Sequence, residues 1–125
     1  MRLLIDTHVL LWQLSKERPL TRATREAILA ADDVLVSTVS FAEMGVKMSL
    51  GKLDVPPDLE KAVRTLGVRI LGLSPAHGLA VGQLPIHHRD PFDRLIIAQA
   101  ATDDLAVVTA DRRFADYPIT TIAAG

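Results

Sequence analysis

The chain has 125 residues, 49% of them hydrophobic and none of them cysteine. That suits one compact domain over residues 1–125 with a sizeable core, and it excludes disulfides, thiolate metal sites and cysteine nucleophiles. With 14 Lys and Arg against 15 Asp and Glu the net charge is −1, so no long-range field draws in nucleic acid and such a substrate has to be held locally.

Arg2 to Ile5 reads as a short buried strand, and Thr7 to Leu14 follows as an apolar helical stretch with Asp6 in the cap position. This opening run is too short to be a signal-peptide core or a membrane span, and no other apolar run approaches a span's length. With cysteine absent, the expectation is a cytoplasmic protein with no membrane association. Thr21 opens a second helix, and Val34 to Ser37 is the next strand. Ser40 to Leu50 is helical in spacing and Gly51 is placed to stop it. Leu59, Ala62, Val63 and Leu66 form a helical stripe ended by Gly67, followed by a candidate strand from Val68 to Leu71.

Pro75 begins another short helix that ends near Leu84. Asp90-Pro91 signals a helix start, a cap followed by proline in the first helical position, and this helix runs to about Ala101. Leu105 to Thr109 reads as a strand, Ala110 to Phe114 as a turn or helical turn, and Ile119 to Ile122 as a final edge strand. Strands separated by helices and tight connections imply an α/β fold, with helices on both faces of a mostly parallel sheet. In such sheets, sites form beyond the carboxyl ends of the strands.

Asp6 and Asp111 both follow strands and should project from that edge, although each also suits a helix cap. Glu43 falls within the helical stripe of Val39, Ala42, Val46 and Leu50, where an ionised carboxylate needs a cation: a metal, or an Arg in a structural ion pair. Asp93 shares a helix face with Ile96, Ile97 and Ala100, while Asp90 is the cap. Asp6, Glu43, Asp93 and Asp111 come from distant parts of the chain yet converge on one edge. Such a cluster repels itself unless it holds a cation, and oxygen ligands without cysteine point to Mg²⁺, with Mn²⁺ as a substitute. A magnesium ion held this way suits phosphodiester hydrolysis with one ion or two.

The segments L-I-D-T-H at 4 to 8, F-A-E at 41 to 43, D-P-F-D-R at 90 to 94 and T-A-D at 109 to 111 resemble the motifs of PIN-domain ribonucleases. The ordered set is most similar to VapC-like toxins of type II toxin–antitoxin systems. The resemblance implies a three-layer α/β/α fold and a Mg²⁺-dependent endoribonuclease. Asp6, Glu43 and Asp93 match the three central acidic residues of the family, and Asp111 matches the more variable fourth. All four would serve catalysis by coordinating metal, with activated water cleaving RNA to leave a 5′-phosphate and a 3′-hydroxyl. It also implies a homodimer silenced by a VapB-like antitoxin lying across an apolar groove, and the nearly all-apolar first helix, Val9 to Trp12, could serve either contact or the core.

Many members carry Asn where this chain has His8, which reads as a substrate contact or a packing residue. Thr7 and Thr109 are placed for hydroxyl contacts near the metal. Arg94, Arg112 and Arg113 adjoin the proposed ligands, to hold RNA phosphates or to neutralise the acidic cluster. His87, His88 and His77 read as solvated. The rival readings are a DNA- or structure-specific nuclease, a phosphatase, or a non-catalytic PIN-like binding module. No P-loop or dinucleotide fingerprint is present, no second Asp stands two residues after Asp6 as a dehalogenase-like phosphatase requires, and no Lys follows Lys61 as a receiver domain would need.

Overall fold

The computed structural model describes residues 1–15 and 19–124. Strands β1 (Arg2–Ile5), β2 (Asp33–Ser37), β3 (Arg69–Leu71), β4 (Ala106–Thr109) and β5 (Thr121–Ala123) form one sheet in the order β3-β2-β1-β4-β5. Every pairing between neighbours in it is parallel. The expected α/β architecture is therefore present, with the edge strand β5 starting later than the sequence pattern placed it.

The alternation of Leu3, Leu4 and Ile5 across the pleat divides the interior in two. Leu3 and Ile5 pack with Val36, Val108 and Val63 on one face of the sheet. Leu4 packs with Leu35, Val107, Ile96, Ile97 and Phe114 on the other. On the first side lie helices α1 (Thr7–Ser15), α2 (Arg22–Ala30) and α4 (Leu59–Thr65), and on the second lies α6 (Pro91–Asp103). Each fully buried Leu, Ile or Val contributes roughly 1.5–3 kcal/mol relative to exposure, so the two clusters hold the three layers together. Leu11 and Trp12 of α1 are half-buried and pack against the first cluster, which accounts for much of that helix's apolar surplus.

Local signals set most of the helix ends. The Thr21 hydroxyl accepts the Thr24 amide to open α2, and Gly67 takes φ +81° just past α4, a left-handed position that glycine occupies without strain. Helix α5 (Pro75–Ala80) starts in a capping box between Ser74 and His77, and a 3₁₀ turn at Val81–Gln83 follows it.

One expected helix face is corrected. In α3 (Thr38–Ser49) the buried residues are Val39, Ser40, Glu43 and Met44, whereas Val46 and Leu50 are 46% and 61% exposed. The inward face is offset from the apolar stripe where the helix packs against α6, α1 and β2. There the Ser40 hydroxyl accepts from Thr7 at 2.8 Å.

The chain winds outward from β1 through β2 to β3, then returns to lay β4 and β5 on the other side. The order thus reverses between β1 and β4, and in sheets of this kind the crevice beyond the carboxyl ends at that point takes ligands. Asp6 follows β1 directly and Asp111 follows β4 by two residues.

Candidate metal centre

Asp6 is 4% exposed. Its backbone amide donates to Val108 O at 3.0 Å, which extends the β1–β4 ladder by one step. Its Oδ1 caps α1 by accepting from Val9 N at 3.0 Å, and its Oδ2 accepts from the Thr109 hydroxyl. Thr109 Oγ1 in turn accepts from Asp111 N at 3.0 Å. Burial pushes the Asp6 carboxyl above the usual range, against the lowering effect of these hydrogen bonds, and Glu43 adds repulsion.

Glu43 is 3% exposed. The side-chain cation that meets it is Lys47, one turn later in α3, with Nζ 2.9 Å from Oε2, where the ion-pair alternative names an arginine. Its other oxygen, Oε1, is buried without a hydrogen-bond partner. An unpartnered carboxylate oxygen in the interior is costly unless a ligand completes it.

Asp93 lies in the first turn of α6, which Asp90 caps by accepting from Phe92 N at 2.8 Å and Asp93 N at 3.3 Å. Burial pushes the Asp93 carboxyl up to about 7, with Asp90, Glu43, Asp6 and Asp111 adding repulsion in that order. The other three acidic residues singled out in the sequence, Asp6, Glu43 and Asp111, therefore bear on the fourth, together with the capping Asp90. Asp111 behaves in the opposite way: the Arg113 guanidinium holds it down at about 2. Replacing Asp90 with Ala should cost about 1 kcal/mol of stability through the lost cap and should lower the Asp93 pKa by removing a neighbouring charge. Thermal unfolding and NMR titration of Asp93 measure the two effects separately.

Several assignments need correcting. His88, expected in solvent, is 2% exposed. Its Nε2 lies 2.9 Å from Asp93 Oδ2 and 3.1 Å from Asp111 Oδ2. One nitrogen or oxygen from each of His88, Asp93 and Asp111 falls within 4.8 Å of the others, a grouping of metal-ligand type. His77, also expected in solvent, is 4% exposed and pairs with Asp103 at 2.9 Å while bonded to Ser74 N through Nδ1. His87 is exposed, as expected, and stands edge-on to the Tyr117 ring.

Arg94, expected near RNA phosphates, turns toward the preceding loop and donates to the carbonyls of Val81, Leu84, Pro85 and His88. One residue along a helix is a rotation of about 100°, so Arg94 cannot share the Asp93 direction. Arg113 grips Asp111 with Nε and Nη2 at 3.0 and 2.8 Å, which fits the charge-neutralising alternative. Arg112 is exposed and makes no ion pair among the described residues. His8 is exposed beside Asp6 and opposes the rise of its pKa.

The donor set fits a hard cation: buried oxygens from separate elements, mutual repulsion concentrated on Asp93, and an orphaned Glu43 oxygen. Comparison with known proteins agrees with this architecture. The PIN domain family matches residues 3–119. Ribonuclease VapC22 of Mycobacterium tuberculosis (strain ATCC 25618 / H37Rv) is 30% identical over 122 residues, covering 91% of this chain and 90% of that protein. Among solved structures, VapBC2 from Rickettsia felis bound to a DNA fragment from its promoter superposes with a TM-score of 0.71 at 16% identity, over 100% of both chains. DNA-bound VapBC from Salmonella typhimurium superposes with a TM-score of 0.66 at 20% identity, over 98% of both. The structural likenesses establish the fold, and the sequence match over residues 3–119 shows that this chain belongs to the PIN-domain family.

Proposed function

We propose that this chain is a Mg²⁺-dependent endoribonuclease, the toxin of a type II toxin–antitoxin pair, acting in the cytoplasm as a homodimer restrained by a VapB-like antitoxin. The observation that carries the reading is the convergence of carboxylates at the switch point of the sheet, with an orphaned Glu43 oxygen and an Asp93 pKa driven up to about 7. Asp6, Glu43 and Asp93 would hold the ion, and Asp111 completes the acidic set. Bound there, Mg²⁺ supplies charge for the phosphoryl group and activates water; Mn²⁺ can replace it.

The chain's own contribution is rigidity and charge. Thr109 fixes one oxygen of Asp6, and the Val9 amide fixes the other. Lys47 fixes one oxygen of Glu43 and leaves the second free. The exposed Arg112 beside Asp111 would meet an RNA phosphate and supply locally the attraction that a net charge of −1 does not. An apolar groove between α1 and α4, about 530 Å³ and lined by Leu14, Pro56, Pro57, Ala62 and Leu66, offers a seat for an antitoxin segment. Among the described residues no helix is long and apolar enough to cross a membrane.

The test is cleavage of a mixed RNA pool by the purified chain with Mg²⁺ or with excess EDTA, alongside Asp6→Asn prepared identically. The expected result is cleavage that requires both the metal and Asp6. Metal-independent cleavage, or an Asp6→Asn protein as active as the parent, overturns the reading.

A further inference from the structure

His88 is held more firmly than any loop histidine needs to be. Its Nδ1 accepts from Asp90 N at 3.1 Å, and its own backbone amide donates to the Tyr117 hydroxyl at 3.0 Å. Its carbonyl accepts from Arg94 at 3.4 Å, and its ring stands edge-on to Phe114 with centroids 6.0 Å apart. Tyr117 and Phe114, which anchor it, are themselves buried.

The Asp90 amide decides the tautomer. Because Nδ1 accepts a hydrogen bond it carries no proton, so in the neutral ring the proton is on Nε2. That N–H is hydrogen-bonded to Asp111 Oδ2 at 3.1 Å, and Asp93 Oδ2 lies against the same nitrogen at 2.9 Å, a close polar contact outside hydrogen-bond geometry. For Nε2 to ligate a metal directly, the proton would have to move to Nδ1 and face the Asp90 amide, donor against donor.

Asp111 is already saturated. Its Oδ1 accepts from the backbone amide and Nε of Arg113, both at 3.0 Å, and its Oδ2 accepts from Arg113 Nη2 at 2.8 Å and from His88. A carboxylate offers about four lone-pair sites, and all four are occupied. Asp93 differs: among the described residues neither of its oxygens accepts a hydrogen bond, and only Oδ2 has the close contact with His88.

We infer that His88 is a positioning residue of this metal site, anchored by Asp111 and the Asp90 amide, whose Nε2 lies against Asp93 Oδ2 and orients that carboxylate so that Oδ1 is left for the ion. Asp111 then acts through His88, one step removed from the metal. The inference rests on the metal reading of the site but not on RNA being the substrate. Outer partners that orient a ligand in this way typically change metal affinity by about 10–100-fold.

The experiment is Mn²⁺ binding to the full chain without RNA, followed by the loss of the free Mn²⁺ electron paramagnetic resonance signal, with folding checked by circular dichroism. His88→Ala should weaken binding about tenfold or more, and His88→Gln, whose amide nitrogen can occupy the Nε2 position, should recover most of that loss. His88→Asn, whose amide stops at the Nδ1 position, should bind as weakly as Ala. If Ala fails to fold, the Gln and Asn pair carries the comparison.

Unchanged Mn²⁺ affinity in folded His88→Ala, or equal in Gln and Asn, overturns the positioning role. A loss that Gln does not recover also overturns it and makes His88 a direct ligand. Since binding is read without RNA, a protein that cuts no RNA but shows the Gln and Ala difference loses the ribonuclease reading and keeps this one. The converse result separates the two equally well.

Discussion

Without metal, the chain should become less stable as pH rises from about 4 to about 7, and Mg²⁺ should reverse the trend. Asp93 has an ordinary pKa of 3.8 when unfolded and about 7 when folded, so between these values the folded state binds more protons than the unfolded state. Stability gained by that proton is fully present below the unfolded value and lost as pH rises through the folded one. Asp6, raised in the same direction, adds to the slope. Asp111, held at about 2, contributes stability that disappears only as pH falls through that value, so its opposite slope lies below the Asp93 window. Each ~1 kcal/mol lost should lower Tm by about 3–5 °C in a domain of this size.

Mg²⁺ binds the ionised carboxylate and competes with the proton, so the Tm gain from added Mg²⁺ should grow with pH, reaching ~2.7 kcal/mol at about 100 times Kd. Asp93→Asn removes a charge that the metal-free fold does not favour. This variant should be more stable than the parent near pH 7.5 without metal, with a flatter pH profile and a smaller response to Mg²⁺. Differential scanning calorimetry between about pH 5 and 8 measures all of this. A flat metal-free profile for the parent would show that Asp93 is not the strained carboxylate described above.

How much of this was legible in the sequence depends on the range of the interactions involved. The buried strand from Arg2 to Ile5, the Thr21 and Asp90 helix starts and the Gly67 stop are local features, and the structure keeps each of them. The convergence of Asp6, Glu43, Asp93 and Asp111 was also legible, since topology alone brings strand ends and helix starts to one edge. The burial of His88 was not. It depends on Phe114 and Tyr117, and nothing within the loop announces either partner.

Two other misses did carry a signal. Lys47 lies four residues after Glu43, the spacing at which helical side chains meet, so the lysine was visible without the fold. Ser74 lies three residues before His77, which fits a capping box with His in place of the usual Glu or Gln. Arg94 was misread because adjacency in sequence was taken for adjacency in space, which a helix denies to successive residues. The offset of α3 could not have been read locally. Its polar inward face is set by the hydroxyl contact between Ser40 and Thr7, across 33 positions.

Glu43→Gln and Lys47→Gln should separate a metal ligand from a structural ion pair. If Glu43 served only Lys47, both variants would lose the same interaction and neither would affect metal binding. As a ligand, Glu43 should lose Mg²⁺-dependent cleavage by more than about 100-fold when changed to Gln, beyond the ~10–100-fold of outer partners. The fold should survive, because the amide keeps the shape and removes a buried charge whose Oε1 has no partner. Lys47→Gln should show the reverse pattern. Stranding a buried carboxylate costs about 3–5 kcal/mol when both partners are fully buried, but the Lys47 side chain is 35% exposed, so the loss should fall below that range. The stranded carboxylate then depends more on the ion, so Lys47→Gln should recover more Tm on adding Mg²⁺ than the parent does. Cleavage rates at saturating Mg²⁺, with Tm measured with and without it, distinguish the two cases; a Glu43→Gln protein with full activity would make this glutamate part of the scaffold alone.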